Sequence, residues 1–133
     1  MTDTLALLFD AARTVAAKAH APYSKFQVGA AINAGSGALY SGCNVENAAY
    51  PVGTCAEAGA IAAMIAGGDT LIKDIAIVSL VTNPCMPCGA CRQRIAEMSN
   101  AATRIHVTNP DGTHASYSID DLLPHGFGPK ALR

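Results

Sequence analysis

The sequence carries little charge, and this shortage argues against a protein that binds nucleic acid. Only 14% of its 133 residues are charged, whereas half are apolar. The nine Lys and Arg residues form no basic run, and the formal net charge is -1. A protein that grips nucleic acid has to neutralise phosphates and shows a basic stripe. We therefore expect the binding partner to be a small molecule, and we expect no nucleic-acid partner.

The chain also lacks a long apolar run. No stretch is long enough to span a membrane. The first twenty residues do not form a signal peptide, because Asp3, Asp10, Arg13 and Lys18 interrupt their apolar residues. We therefore expect a cytoplasmic protein with no membrane contact. Since a small monomer needs a wetted surface, so little charge also indicates that apolar surface is buried between subunits.

The spacing of apolar residues predicts alternating helices and strands within one domain, residues 1–133. The predicted helices span 3–19, 55–66 and 88–98, and the predicted strands span 26–34, 38–45, 72–82, 104–108 and 113–118. Residues 47–53 are predicted to form a loop, and Asp120 is predicted to cap a short last helix. This order predicts an α/β fold with one mixed sheet and helices on its faces.

The predicted helix 55–66 is apolar all round except for Glu57. A helix of this kind is expected to be buried on all sides. Glu57 should then lie in a buried setting, where a lone carboxylate is costly and calls for a reason. The alternative role for Glu57 is a carboxylate that merely stabilises the start of the helix. We interpret it as a functional residue.

Three of the five cysteines fall within residues 85–91, and crowded cysteines without an export signal are typical of metal ligands. Cys88 and Cys91 are three apart, which places both thiols on one face of a helix. Pro87 suits a helix start, and Cys55 opens another helix. The positive ends of two helices then stabilise three thiolates. Three protein ligands leave the fourth position of a tetrahedral zinc open, as in catalytic sites.

Cys85 makes the ligand set ambiguous, because Cys85 and Cys88 repeat the same three-residue spacing. If Cys85 were a fourth ligand, the zinc would be structural, and the chain would be a zinc module that binds a partner without catalysis. Pro87 favours the other assignment, because it forces Met86 into an extended conformation and leaves Cys85 outside the helix. We interpret Cys43 and Cys85 as core thiols.

The segments CAE at 55–57 and PCGAC at 87–91 match the pattern of zinc-dependent nucleobase deaminases. Zinc lowers the pKa of its bound water to about 7 and so yields hydroxide at neutral pH. Glu57 is predicted to accept the proton of that water. Hydroxide then attacks C4 of a cytosine ring, and Glu57 returns protons to N3 and to the leaving ammonia. Glu57 can reach the metal ligands only if Cys55 lies at the irregular start of its helix.

Five segments of the sequence occur together in this order: PYSKFQVGAAI (22–32), GCNVENAAYP (42–51), TCAEAGAI (54–61), PCGACRQ (87–93) and LLPHGFGP (122–129). With these motifs, nearly the whole chain resembles the small homotetrameric cytidine deaminases. The resemblance implies a three-layer α/β/α fold with a five-stranded mixed sheet, one zinc per subunit, and active sites shared within a homotetramer. It also implies free cytidine or deoxycytidine as the substrate, in pyrimidine salvage.

The resemblance also assigns substrate-binding roles to single residues. Phe26 would pack on the pyrimidine, and the backbone of Ala56 would contact the exocyclic amine. Asn44 and Glu46 would bind the ribose hydroxyls, although a solvated loop charge is an equally good interpretation of Glu46 without the family match.

Two aromatic residues are assigned to the shared part of the site. The resemblance implies that Tyr50 and Phe127 reach the pocket of a neighbouring subunit. Taken alone, these residues and Phe26 would be interpreted as core residues, which is the commoner fate of Phe.

The sequence departs from the family pattern after Glu57, where the resemblance implies an arginine and then a threonine or a similar residue, and the chain has Ala58 and Gly59. Zinc with three thiolates carries net charge -1, and that arginine resembles a compensator. Its loss should make the zinc less Lewis acidic and raise the pKa of its water. Arg92 or Arg94 could compensate instead. The change should also leave space near the site, so a modified cytosine nucleoside, such as a nucleoside antibiotic, is a rival substrate. A deaminase that edits nucleic acid is the third candidate function, because the chain lacks a run of basic residues that would bind the phosphates.

Overall fold

The computed structural model describes residues 1–132, which form four α-helices and five strands. In chain order these are α1 (Asp3–Ala16), β1 (Val28–Ala34), β2 (Leu39–Cys43), α2 (Ala56–Ala66), β3 (Ile72–Ser79), α3 (Gly89–Glu97), β4 (Arg104–Thr108), β5 (His114–Tyr117) and α4 (Ile119–Leu122). Short 3-10 turns cover Tyr50–Val52 and Pro129–Leu132. No helix within residues 1–132 has both the length and the apolar character needed to cross a membrane.

All five strands belong to one sheet in the order β2-β1-β3-β4-β5. β3 and β4 run parallel, and the three other neighbouring pairs are antiparallel. The parallel pair is joined by α3, as a crossover between parallel strands requires. The prediction of a mixed sheet is therefore confirmed.

Helices cover both faces of this sheet. α1 packs on one face through a core formed by Leu5, Leu8, Phe9, Ala12, Ala31, Ala76 and Val78. The opposite face is covered by α2 and α3 through a second core that includes Ala30, Ile32, Ala60, Met64, Ile75, Ile77, Ile95, Ile105 and Val107. Gly29 of β1 lets α1 approach closely, because a Cβ there would lie 1.9 Å from the Ala12 carbonyl oxygen. The three-layer arrangement confirms the expected fold class.

Several predicted elements end earlier in the structure. Helix α1 stops at Ala16 rather than residue 19, because the chain turns there and His20 pairs with the segment after β2. The backbone N–H of His20 donates to the Asn44 carbonyl at 3.1 Å, and the N–H of Glu46 donates to the His20 carbonyl at 2.8 Å. This pairing between distant segments overrides the helical spacing. The strand predicted over 104–108 is confirmed at both ends.

The cap of the last helix was predicted wrongly. Ser118, not Asp120, precedes α4, and its hydroxyl accepts from the backbone N–H of Asp121 at 3.1 Å. The Asp121 carboxylate in turn accepts from the N–H of Ser118 at 2.9 Å. Asp120 lies inside the helix. This reciprocal capping box satisfies two backbone donors, which a single carboxylate at position 120 could not do.

Helix α2 is buried on one side only, so the prediction of burial on all sides is wrong for the single chain. Ala56, Ala60 and Met64 are fully buried against the sheet, whereas Ile65 is 45% exposed. The physical reason is that α2 lies over β1 and β2, at the edge of the sheet, and no element of residues 1–132 covers its outer side. Glu57 nevertheless lies on the buried side.

Gly42 sets the distance between α2 and the sheet. A Cβ at this position would lie 2.3 Å from the Ala60 nitrogen and 2.6 Å from the Gly59 carbonyl carbon. We expect Gly42→Ala to push α2 away and to lower the free energy of unfolding by about 1–3 kcal/mol. The zinc affinity should fall too, because α2 begins at the cysteine cluster described below.

The matched control for this prediction is Gly128→Ala, where an added Cβ would meet nothing within 4 Å. Denaturant unfolding of both variants and of the parent measures the difference. Equal midpoints for the two variants would contradict the close approach of α2 and β2.

Candidate active site

Three cysteine sulfurs meet where the N-termini of α2 and α3 come together. The Sγ atoms of Cys55, Cys88 and Cys91 all lie within 4.8 Å of one another. A tetrahedral zinc with Zn–S bonds of about 2.3 Å holds its sulfurs about 3.8 Å apart. The cluster therefore fits a zinc ion and supplies three of the four ligands that a tetrahedral site needs.

The two helix starts bring the sulfurs together. Cys55 and Cys88 precede α2 and α3 with extended backbones, at φ/ψ of -81/159° and -68/170°. Cys91 lies in the first turn of α3 and is fully buried. Because Cys55 is outside the regular helix, it can face the same point as Glu57, as the prediction required.

The environment affects the three thiols differently. The backbone N–H of Cys91 lowers the pKa of Cys88, as expected at a helix N-terminus. Burial raises the pKa of Cys55, and burial followed by the nearby Glu57 and Cys55 raises that of Cys91. Three thiolates so close repel one another, and a bound cation removes that cost.

Cys85 does not belong to this cluster in the part of the chain that the structure describes. It lines the adjacent cavity together with Met86. Burial, followed by the charges of Glu57 and Cys55, raises the pKa of Cys85 to about 11. The placement agrees with the argument from Pro87 and gives no support to a fourth cysteine ligand.

Glu57 lies in the first turn of α2 and is only 5% exposed. It lines the same cavity as Cys55 and Cys88. Burial raises the pKa of its carboxyl, against smaller lowering by its own backbone N–H, then by Cys91 and last by the Arg94 charge. A carboxyl that holds its proton more readily than usual can both accept and return one near neutral pH.

A cavity of about 660 Å³ opens in front of Glu57, a size typical of small-molecule sites. The loop after β2, the segment before β1 and the starts of α2 and α3 form its walls. Five predicted substrate-binding residues line it: Phe26, Asn44, Glu46, Tyr50 and Ala56. Other lining residues had no predicted role, among them Tyr23 and Ser24 of the quoted segment 22–32, Asn47 of the quoted segment 42–51, and Met86. Ala58 is not among the residues that line this cavity.

Asn44 organises the wall that carries Phe26. Its side-chain oxygen accepts from the backbone N–H of Val28 at 2.9 Å, and its amide nitrogen donates to the Phe26 carbonyl at 2.8 Å. Sequence reasoning assigned Asn44 only to the ribose. The structure adds a role in holding the aromatic wall.

Glu46 also binds the segment that carries Phe26. Its carboxylate accepts from the backbone N–H groups of Tyr23 and Ser24 at 3.0 and 3.1 Å, and from the Ser24 hydroxyl. These hydrogen bonds, first of all that of the hydroxyl, lower the pKa of Glu46. Glu46 is therefore ionised at neutral pH and is not merely a solvated loop charge.

We expect Glu46→Gln to raise KM for a nucleoside about tenfold, since a charge-assisted hydrogen bond contributes about 1.5 kcal/mol. The zinc content should not change. Hydrogen exchange over residues 22–28 should become faster, because the glutamine amide presents donors to the donors of Ser24. The hydrogen bonds from this segment to Glu46 stabilise it fully above the ordinary pKa of a glutamate. This stabilisation is lost as the pH falls through the lowered pKa of Glu46.

Asp111→Asn is the matched control. Asp111 also accepts from a backbone N–H and a hydroxyl, both of Thr113, but it lies in the turn before β5. An exchange rate over residues 22–28 that is equal in both variants and the parent would contradict the assigned role of Glu46.

The two aromatic residues assigned to a neighbouring subunit lie apart. Tyr50 lines the cavity of its own chain, is 75% exposed and packs edge-on against Tyr23, with ring centroids 5.9 Å apart. Phe127 is 61% exposed and lies by a smaller depression beside the end of α3. The Gln93 amide donates to its carbonyl at 2.9 Å. The structure does not bring Phe127 to the cavity of its own chain.

The two candidate compensating arginines have different partners. Arg92 donates from Nε to the Pro87 carbonyl at 2.8 Å and from Nη1 to the Leu122 carbonyl at 2.9 Å. Arg94 donates from Nη1 to Cys91 Sγ at 3.4 Å. Only the second contact places a positive charge on the cluster.

The chain is similar to cytidine deaminases in both sequence and structure. Residues 3–107 match the family described as the cytidine and deoxycytidylate deaminase zinc-binding region. A cytidine deaminase from Sporosarcina psychrophila is 42% identical over 86% of this chain and 85% of its own length. The crystal structure of a cytidine deaminase from Burkholderia pseudomallei has a TM-score of 0.86 and 40% identity, over 96% of this chain and 100% of that one. One from Mycobacterium tuberculosis has a TM-score of 0.84 and 35% identity, over 96% and 99%.

Proposed function

Because the chain belongs to the cytidine and deoxycytidylate deaminase zinc-binding family, we propose that it hydrolyses free cytidine and deoxycytidine to uridine and deoxyuridine, with release of ammonia. One observation carries this proposal: a buried glutamate borders a nucleoside-sized cavity that reaches a cluster of three cysteine thiols. The chemistry of this donor set suits zinc, and zinc is the family's metal.

Glu57 is the proposed proton carrier. When zinc is bound by Cys55, Cys88 and Cys91, it supplies Lewis acidity that lowers the pKa of a water molecule. Glu57 accepts, one after the other, both protons of the water that adds to C4 of the cytosine ring, and it donates the first to N3 and the second to the departing amine. Water adds and ammonia leaves, so Glu57 ends each cycle in its starting state. Its buried position keeps bulk water from competing for these protons.

The walls of the cavity are proposed to bind and orient the nucleoside. The Phe26 ring packs on the pyrimidine face, and the backbone of Ala56 contacts the exocyclic amine. Asn44 and Glu46 accept or donate to the ribose hydroxyls with the lone pairs and protons that their wall contacts leave free. This set of residues suits an ordinary ribose, and we place the enzyme in pyrimidine salvage.

A substrate panel tests the proposal. Loss of cytosine absorbance is followed for cytidine, deoxycytidine, 5-methylcytidine, cytosine, blasticidin S and adenosine. We expect the highest kcat/KM for cytidine and deoxycytidine. Absence of turnover with both would refute the proposal, and faster turnover of blasticidin S would favour a deaminase of modified nucleosides.

We further propose that the chain assembles as a homotetramer whose subunits share active sites. The supporting observation is the apolar outer face of α2, where Ile65 is 45% exposed, together with the exposed rings of Tyr50 and Phe127. Light scattering after size-exclusion chromatography measures the mass. A monomer at micromolar concentration would refute this assembly.

Five free thiols and a thiolate metal site suit the reducing cytoplasm, where we place the protein.

A further inference from the structure

We propose that Arg94 is a positioning residue for the metal site, and that its positive charge holds the Cys91 thiolate and so retains zinc. This inference rests on the proposed zinc site. It goes beyond the ligand set, because it assigns the task of charge compensation to a position that lies on a different helix from Glu57.

The charge of the cluster creates the need for such a residue. Zinc with three thiolates has net charge -1, and the Glu57 carboxylate beside it adds a further negative charge. Ala58 cannot offset this excess. A cation in contact with one sulfur stabilises the thiolate form, which is the form that binds metal.

The spacing on α3 places Arg94 correctly. It follows Cys91 by three residues, so both side chains lie on the same face of the helix. Nη1 donates to Cys91 Sγ at 3.4 Å, within reach of a hydrogen bond to sulfur.

Arg92, the other arginine of α3, is not available for this task. Both of its contacts, to Pro87 and Leu122, are with backbone carbonyls. It therefore connects the start of α3 to the end of α4, and neither of these contacts is with a sulfur of the cluster.

The geometry also predicts a rescue. Ala58 follows Cys55 by three residues, as Arg94 follows Cys91, although Cys55 precedes α2 whereas Cys91 lies within α3. An arginine at position 58 would therefore lie in the first turn of α2, beside the cysteine that precedes it. Position 58 is a second place from which a positive charge can offset the charge of the cluster.

The experiment measures zinc release without substrate, using the zinc-loaded protein and an excess of a chromogenic chelator. We expect Arg94→Met to release zinc about tenfold faster than the parent, the loss typical of an outer contact to a metal ligand. Arg94→Lys should release zinc at an intermediate rate, because lysine keeps the positive charge but lacks the planar guanidinium group. Ala58→Arg combined with Arg94→Met should return the rate towards that of the parent.

The control is Arg104→Met, which removes an exposed arginine of β4 and the same net charge. Equal release rates for Arg94→Met and the parent would overturn the proposal, and so would equal acceleration by the control. The conservative variant Arg94→Lys keeps the test valid if the methionine variant folds poorly. Zinc release is independent of turnover, so a chain that deaminates no nucleoside could still confirm the role of Arg94.

Discussion

Replacing Glu57 by glutamine is expected to lower kcat by about 1,000-fold or more while the zinc content stays at that of the parent. A positioned proton carrier contributes about 10²–10⁴-fold, and Glu57 serves both the addition of water and the departure of the amine. Glutamine has the same shape but cannot accept the proton. Absorbance assays give kcat, metal analysis gives zinc, and calorimetry gives nucleoside binding, which should survive.

The same variant makes a prediction about stability. Burial raises the pKa of Glu57, so the folded state binds a proton more tightly than the unfolded chain does. The ionised form therefore costs stability above the ordinary pKa of a glutamate, and this cost is absent at lower pH. We expect Glu57→Gln to be no less stable than the parent at neutral pH.

Glu97→Gln serves as the control, because Glu97 is an exposed carboxylate at the far end of α3 and lies outside the main cavity. It should keep the parental kcat. A Glu57→Gln enzyme with more than a tenth of the parental kcat would remove Glu57 from the chemistry.

The second large effect is expected from Cys88→Ser. The variant should lose zinc and all measurable activity, because a hydroxyl does not replace a thiolate ligand at neutral pH. The parent should gain about 4 kcal/mol of unfolding free energy when free zinc is raised to about a thousand times its Kd. Cys88→Ser should show no such gain, and thermal unfolding across a zinc titration measures both.

Cys85→Ser is the informative partner variant. It is three residues from Cys88 and half-buried, yet its sulfur lies outside the cluster. We expect it to keep its zinc and its zinc-dependent stability. If Cys85→Ser lost zinc as Cys88→Ser does, the site would have four cysteine ligands, and a structural zinc module would become the better interpretation.

Much of the fold could be predicted because its signals are local. The run of β-branched residues in β3 and the spacing of apolar residues in α1 report neighbours a few positions apart. The end of α1 could not be predicted, because the pairing of His20 with the segment after β2 ends it. Burial of α2 was overestimated for a related reason. Composition gives the polarity of a helix but not which neighbours cover its faces.

The same division holds within the site. The spacing of Cys88 and Cys91, the helix start at Cys55 and the position of Glu57 can be read from the sequence, since each depends on a helix N-terminus. The hydrogen bonds that join Asn44 and Glu46 to the segment around Phe26 could not be predicted, because they connect residues about twenty positions apart. Tyr23 was missed at the cavity for the same reason.

The sequence contains few charged residues, and only the folded structure shows which of them lies at the metal site. The sequence by itself indicated Cys88 and Cys91 as a ligand pair, because residues three apart on a helix are neighbours and Pro87 leaves Cys85 outside that helix. It left Arg92 and Arg94 as equal candidates to offset the charge of that metal site. Tertiary structure separated them, because Arg92 is bound by the Pro87 carbonyl and by the Leu122 carbonyl from the distant α4, whereas Arg94 contacts the Cys91 sulfur. Such contacts depend on three-dimensional packing, which spacing along the chain does not encode.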